Sequence, residues 1–188
     1  MKVLAFAGSP RRNGNTRILL DAFIDECTKR GHEVELIDLT NTARWNINPC
    51  LGCDSCLSGR CIRDDSMQEI YPKIREADAI VLAAPMQFYS FPSQAKAVID
   101  RAQLFFNQKY KRKEPVRSKP CKGFLISCGA TKGAKLFDGA CLTMKYWFDA
   151  LDVHYEADAL FRGIDAPGEI RNHPEALDEV RALVDHLS

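Results

Sequence analysis

The sequence predicts an α/β protein of three layers, a five-stranded parallel sheet in the order 2-1-3-4-5 with helices on both faces. Short apolar runs alternate with longer segments of helical apolar spacing, which implies βαβ crossovers and a parallel sheet. The runs are apolar throughout, as strands covered on both faces must be. Five of them suit the smaller doubly wound order better than the six-stranded dinucleotide fold.

In chain order, Val3–Ala7 is the first strand, stopped by Gly8-Ser9-Pro10. Thr16 to Arg30 carries Ile18, Leu19, Ala22, Phe23 and Cys27 at helical spacing, and Gly31 ends it. Val34–Ile37 is the second strand, followed by an irregular stretch from Asn41 to Asp65. Met67 to Ala77 reads as a helix and Ala79–Ala84 as the third strand, ended by Pro85. Then come a helix over Gln94–Phe106, a fourth strand over Gly123–Ser127, a helix over Ala134–Leu151 and a fifth strand over Val153–Ala157. Pro174 to Leu187 closes the chain as a helix whose first position suits proline. With no repeat and no low-complexity linker, one domain is expected over residues 1–188, with the loop 41–65 inserted after strand two. In such sheets ligands sit at the carboxyl ends of the strands near the switch point. The loops Gly8–Thr16, Pro85–Ser93 and Cys128–Gly133 should therefore meet.

A chain of 188 residues builds its core without disulfides, yet this one has 8 cysteines. No segment approaches the ~18 apolar residues that cross a bilayer. The apolar start is too short for a signal peptide, and Arg11-Arg12 is not followed by the apolar run of a twin-arginine signal. A cytoplasmic protein without a membrane partner is expected. There, clustered cysteines point to metal or redox chemistry. The formal charge of +1 gives no global pull toward nucleic acid, and none is expected as a partner.

The first loop, Gly8 to Thr16, joins a strand to a helix, so free backbone N–H groups and the positive helix end converge as a phosphate would require. Ser9, Asn15 and Thr16 add side-chain donors. The P-loop lysine is missing and its spacing is off by one, and no G-x-G-x-x-G follows the strand. The competing reading is a plain turn built on Asn13-Gly14 with Asn15 or Thr16 as cap.

Cys50, Cys53, Cys56 and Cys61 read C-x2-C-x2-C-x4-C. Three cysteines at that interval suit one face of a [4Fe–4S] cluster, as in bacterial ferredoxin runs. With no second run, Cys61 must return to the same cluster, which a turn at Ser58-Gly59 allows. Zinc is an alternative, although its sites pair separated knuckles often completed by His, and no His is near in sequence. A dithiol or metal-free loop is the third option. Cys27, Cys121, Cys128 and Cys141 are read as packing residues.

Gly8 to Thr16, Gly59 to Asp65, Ala77 to Pro85, Phe88-Tyr89-Ser90, Lys96 to Arg101 and Gly168 to Glu175 together resemble the NADPH-dependent FMN reductases of the flavodoxin-like superfamily. With the four-cysteine loop, the nearest subgroup is the iron–sulfur flavoproteins. The resemblance implies a flavodoxin-like three-layer sandwich that binds FMN. It implies Ser9, Arg11, Asn13, Asn15 and Thr16 around the phosphate, and Pro85, Met86, Gln87, Phe88 and Ser90 along the ring, with Gly129 in the third loop. Gln87 stands where the family has an aromatic residue. The resemblance also implies a homo-oligomer.

The expected function is FMN-dependent electron transfer between NAD(P)H, or a reduced ferredoxin-like partner, and one-electron acceptors through a [4Fe–4S] cluster. No catalytic acid or base is required for it. The alternatives are an NAD(P)H-dependent FMN or quinone reductase without a cluster, and a zinc-stabilised binding module. Lys109, Lys111, Arg112, Lys113, Arg117 and Lys119, against Glu114 alone, form a basic stretch, read either as a solvated loop or as a docking patch.

Overall fold

A computed structural model describes residues 1–187. The elements are β1 (Lys2–Ala7), α1 (Asn15–Lys29), β2 (Glu33–Asp38), α2 (Met67–Glu76), β3 (Ala79–Ala83), α3 (Ser93–Asp100), α4 (Gln103–Phe106), β4 (Lys122–Gly129), α5 (Asp138–Leu151), β5 (His154–Arg162) and α6 (Ala176–Ala182). The sheet order is β2-β1-β3-β4-β5 with every neighbouring pair parallel, as the alternation of elements predicts.

Because side chains alternate along a strand, β1 feeds two cores. Leu4 and Phe6 join Ile70, Val98, Met144 and Phe148 on the face covered by α2, α3 and α5. Val3, Ala5 and Ala7 join Leu19, Phe23 and Val180 under α1 and α6. Each fully buried Leu or Phe contributes roughly 1.5–3 kcal/mol, which is what lets the central strands be apolar on both sides. Gly123 is part of this packing: a Cβ there would lie 2.7 Å from the Phe148 ring, so α5 rests directly on the β4 backbone.

Four elements depart from the sequence reading, one of them α5, which starts at Asp138 rather than Ala134 because the residues before it form a turn in which the Leu136 N–H donates to the Gly133 carbonyl. The helix expected over 94–106 is interrupted at Arg101-Ala102, where the Tyr71 hydroxyl donates to the Arg101 carbonyl and the chain tightens into three-residue bonds. It then continues past Phe106 as a π-helical turn over Asn107–Lys111, with the Arg112 N–H donating to the Asn107 carbonyl. β5 runs to Arg162, five residues beyond its expected end, because an edge strand needs only alternate apolar positions such as Ala159 and Phe161. At the carboxyl terminus only Ala176–Ala182 is α-helical, and Leu183–Leu187 tightens into a 3-10 turn. Among the described residues no helix is long and apolar enough to cross a membrane.

Candidate functional site

The three loops meet at the carboxyl ends of the strands. They line a cleft of about 210 Å³ with Ser9, Arg11, Asn15, Thr16, Pro85, Met86, Gln87 and Gly129, together with Pro10, Gly14, Cys128, Ala130, Ile164 and Asp165.

The floor of the first loop is held tightly. The Gly8 N–H donates to the Ala83 carbonyl at 2.7 Å, and a Cβ on Gly8 would press on Ala95 at 2.9 Å, so glycine is needed for β1 to turn over β3. The Ser9 hydroxyl accepts the Arg11 N–H at 3.0 Å and keeps its own proton to donate. α1 starts at Asn15 without a side-chain cap, and among the described residues the N–H groups of Asn15 and Thr16 find no acceptor. Thr16 is 1% exposed, and among the described residues its hydroxyl has no hydrogen-bond partner. A buried unpaired hydroxyl costs about 1–3 kcal/mol unless something fills its valence. Here it sits at the positive end of a 15-residue helix whose first amides are free, which is the chemistry of an anion site. The residues therefore fit the phosphate of FMN on an observation of the fold itself.

The side chain of Asn15 has a different task. Its amide donates to the Ala166 carbonyl at 2.9 Å and accepts the Ile170 N–H at 3.3 Å, which docks the segment after β5 onto the start of α1. The Glu169 carboxylate accepts the N–H groups of Asp165 and Ala166 at 2.7 and 2.9 Å and braces the same segment. Ile164 and Asp165 reach the cleft this way, a wall that sequence reasoning missed; Gly163 and Gly168, both at positive φ around it, were the available signal.

The second loop is zipped to β4 through the Met86 N–H, which donates to the Cys128 carbonyl at 2.9 Å. It then folds back in a two-residue turn, with Gln87 and Ser90 exchanging backbone bonds at 2.9 and 3.0 Å. This turn carries Phe88 and Ser90 out of the cleft lining: Phe88 stands 102% exposed at the apex and Tyr89 51%. Asn13 is likewise exposed and outside the lining. In the third loop, a Cβ on Gly129 would meet Met86 and Leu136 at 3.1 Å, so the glycine lets the second and third loops close on each other. Burial pushes the Cys128 thiol up to about 12, Cys27 to about 12 and Cys121 to about 11, the behaviour of packing cysteines.

The cysteine loop lies apart, and none of its four thiols lines the cleft. Its two ends are tied where the Asn48 N–H donates to Asp65 at 3.0 Å, and Arg101 grips both, donating to the Asn48 carbonyl at 2.8 Å and to Asp65 at 2.5 Å. Both ionic side chains are shielded from solvent. Burial works against the Arg101 charge, but the Asp65 carboxylate and the Tyr71 hydroxyl outweigh it and hold the guanidinium above its ordinary pKa. Burial likewise opposes the Asp65 charge, yet hydrogen bonds from Arg101, Asn48 and Met67 hold its carboxyl below the usual range. Cys56 is buried and accepts the Asn107 amide at 3.1 Å; Cys61 accepts Arg101 Nη2 at 3.5 Å. Burial raises the Cys56 thiol, and Cys61 and Cys50 are close enough to add to that. Cys53 is exposed, and its hydrogen bond to Ser55 holds its thiol below the ordinary value. Among the described residues no three Cys, His, Asp or Glu side chains stand close enough to hold a metal. Four thiols, three of whose sulfurs receive N–H donors from Gly52, Asn107 and Arg101, fit an iron–sulfur cluster in donor chemistry, while Cys53 is the exposed member of the set.

Half of the basic stretch is taken up in ion pairs within the chain. Lys109 pairs with Asp149 and Asp152, Arg112 with Glu114, and Lys119 with Asp78. Arg117 is buried and donates to the Ile74 and Ala77 carbonyls, closing the carboxyl end of α2. Of the six cations of the stretch, Lys111 and Lys113 have no side-chain partner among the described residues.

An iron–sulfur flavoprotein of Methanosarcina thermophila is 34% identical over 133 residues, 70% of this chain and 65% of that protein. One from Archaeoglobus fulgidus is 40% identical over 104 residues, 55% of this chain and 50% of that protein. The matched segment thus spans between half and two-thirds of these curated relatives. The fold is shared with the NAD(P)H:quinone oxidoreductase of Methanothermobacter marburgensis, at TM-score 0.73 and 19% identity over 100% of this chain and 99% of that one. The sequence model of the NADPH-dependent FMN reductases matches residues 1–154. A match that begins just before β1, takes in all three cleft loops and reaches the first residue of β5 makes this chain a member of the NADPH-dependent FMN reductase family.

Proposed function

We propose that the chain is an FMN-dependent oxidoreductase that passes electrons between a two-electron donor, NAD(P)H or a reduced ferredoxin-like partner, and one-electron acceptors by way of a [4Fe–4S] cluster. The observation that carries the flavin half is the buried, unpartnered Thr16 hydroxyl beneath the free first amides of α1. Ser9, Arg11 and Thr16 would hold the phosphate, and Pro85, Met86, Gln87 and Gly129 would border the ring. Bound FMN would supply exchange of electrons in pairs or singly, and the cluster exchange one at a time. The protein's own part is to bind, orient and shield: the anion pocket fixes one end of the ligand, and the apolar lining of Pro85, Met86 and Ile164 limits water at the other.

Cys50, Cys53, Cys56 and Cys61 would hold the cluster. Metal sites commonly complete their folding only with the metal. The exposed position of Cys53 equally favours a second reading, an NAD(P)H-dependent FMN or quinone reductase without a cluster. Exposed Phe88, Tyr89, Leu142 and Tyr146 support assembly with further copies of the chain.

Anaerobic purification of the full chain tests this. The expected result is ~1 FMN and ~4 iron atoms per chain, with FMN bound at least ~10-fold more tightly than riboflavin because charge-assisted bonds to phosphate are the strong ones. Equal affinity for riboflavin would remove the phosphate site. Flavin without iron would select the cluster-free reductase, and zinc without flavin the binding module.

A further inference from the structure

Behind the cysteine loop runs the irregular helix from Arg101 to Arg112, and three of its side chains turn toward that loop. Asn107 is 1% exposed and donates its amide to Cys56 Sγ at 3.1 Å. Its orientation is fixed from the other side, since Gln103 Nε2 donates to Asn107 Oδ1 at 3.1 Å, leaving only the NH2 group to face sulfur. Arg101 donates to Cys61 Sγ at 3.5 Å while its remaining donors are taken by Asp65, Asn48 and Tyr71. Arg112 donates to the Cys56 carbonyl at 3.0 Å. The π-helical turn starts at Asn107 itself, and such insertions collect at functional sites.

A thiol is a weak acceptor, so two buried donors spent on cysteine sulfur are poorly matched while that sulfur is neutral. They are well matched when it carries negative charge, as a metal-bound cysteine does. The Gln103 bond uses only the acceptor of Asn107, so the donor end of this buried amide is spent on sulfur alone.

We infer that Asn107 and Arg101 are positioning residues for the metal-bound form of the loop, holding the Cys56 and Cys61 sulfurs by N–H···S hydrogen bonds and setting the reduction potential of the centre those sulfurs carry. This rests on the iron–sulfur reading above. Donors to cluster sulfur draw electron density from it and favour the reduced state, so they raise the potential. Arg101 has a second, architectural task in clamping the loop ends, which makes Asn107 the cleaner probe.

The experiment compares wild type, Asn107→Leu and Asn107→Asp after anaerobic reconstitution with iron and sulfide. Iron content, resistance of the iron to a chelator, the potential of the cluster in an optical redox titration and FMN affinity are all read. Asn107→Leu is expected to lower the cluster potential and to lose iron to chelator at about 10-fold lower concentration, with FMN affinity unchanged. Asn107→Asp keeps the volume and the acceptor for Gln103 but turns a negative group on the sulfur, so its potential falls further; it carries the test if the leucine variant does not fold. A wild type that holds iron beside variants of unchanged potential and chelator resistance would overturn the inference alone. A wild type that takes up no iron would overturn the iron–sulfur reading and the inference with it.

Discussion

Arg101 shows how far a residue's setting can depart from its sequence neighbourhood. Beside Asp100 on a helix it reads as half of an exposed ion pair, yet Asp100 pairs with Lys96 at 2.5 Å and Arg101 is 2% exposed with Asp65 as its partner, 36 residues away. Removing one member of a buried pair costs about 3–5 kcal/mol because the other is left charged and unpaired. Asp65→Asn should therefore destabilise the fold by about that much at neutral pH, measured by urea unfolding. The pH dependence has a definite sign. Asp65 titrates below its unfolded value, so its contribution is complete above about pH 4 and is lost as pH falls through the lower folded pKa. The gap between wild type and the Asn variant should accordingly be constant from pH 5 to 8 and narrow only below about pH 4. A gap unchanged at low pH would show that charge on Asp65 is not what the clamp uses.

At the scale of elements, the turn at Phe88-Tyr89 was the least legible. Both residues lie at positive φ, 49° and 60°, the conformation of a type I′ hairpin turn that normally calls for Asn-Gly. The family resemblance implies Phe88 along the ring, whereas the backbone bonds between Gln87 and Ser90 turn it outward. Bulky residues in the left-handed region cost about 1–2 kcal/mol each. Phe88→Asn with Tyr89→Gly should raise stability by about 1–2 kcal/mol when measured at a dilution where the chain is monomeric, and should weaken self-association in sedimentation at higher concentration. A loss of monomer stability would show that the aromatics pack within the chain. The interrupted helix after α3 belongs here too: no Pro or Gly marks the break, because its cause is the Tyr71 hydroxyl arriving from α2. β5 was read too short because an edge strand carries the mixed polarity that periodicity assigns to loops.

For the molecule as a whole, a ligand that occupies the cleft must stabilise the fold, since loops from four parts of the chain meet there. FMN at 100 times its dissociation constant should add about 2.7 kcal/mol, or roughly 5–10 °C in melting temperature for a chain of this size. Riboflavin should add less, and removing FMN by dialysis should reverse the gain. The sequence by itself determined the sheet order, the meeting of three loops at the strand ends, the division of the cysteines into a loop set and packing thiols, and the family. Those follow from apolar runs, turn residues and spacing, all local and periodic quantities. Tertiary structure alone decided that Asn15 ties down the segment after β5, that Ile164 and Asp165 line the cleft, that Lys109 and Lys119 of the basic stretch pair with Asp149 and Asp78, and that Asn107 and Arg101 face cysteine sulfur. Each of these joins residues distant in the chain through side-chain hydrogen bonds, and such partners have no period or spacing by which a sequence could announce them.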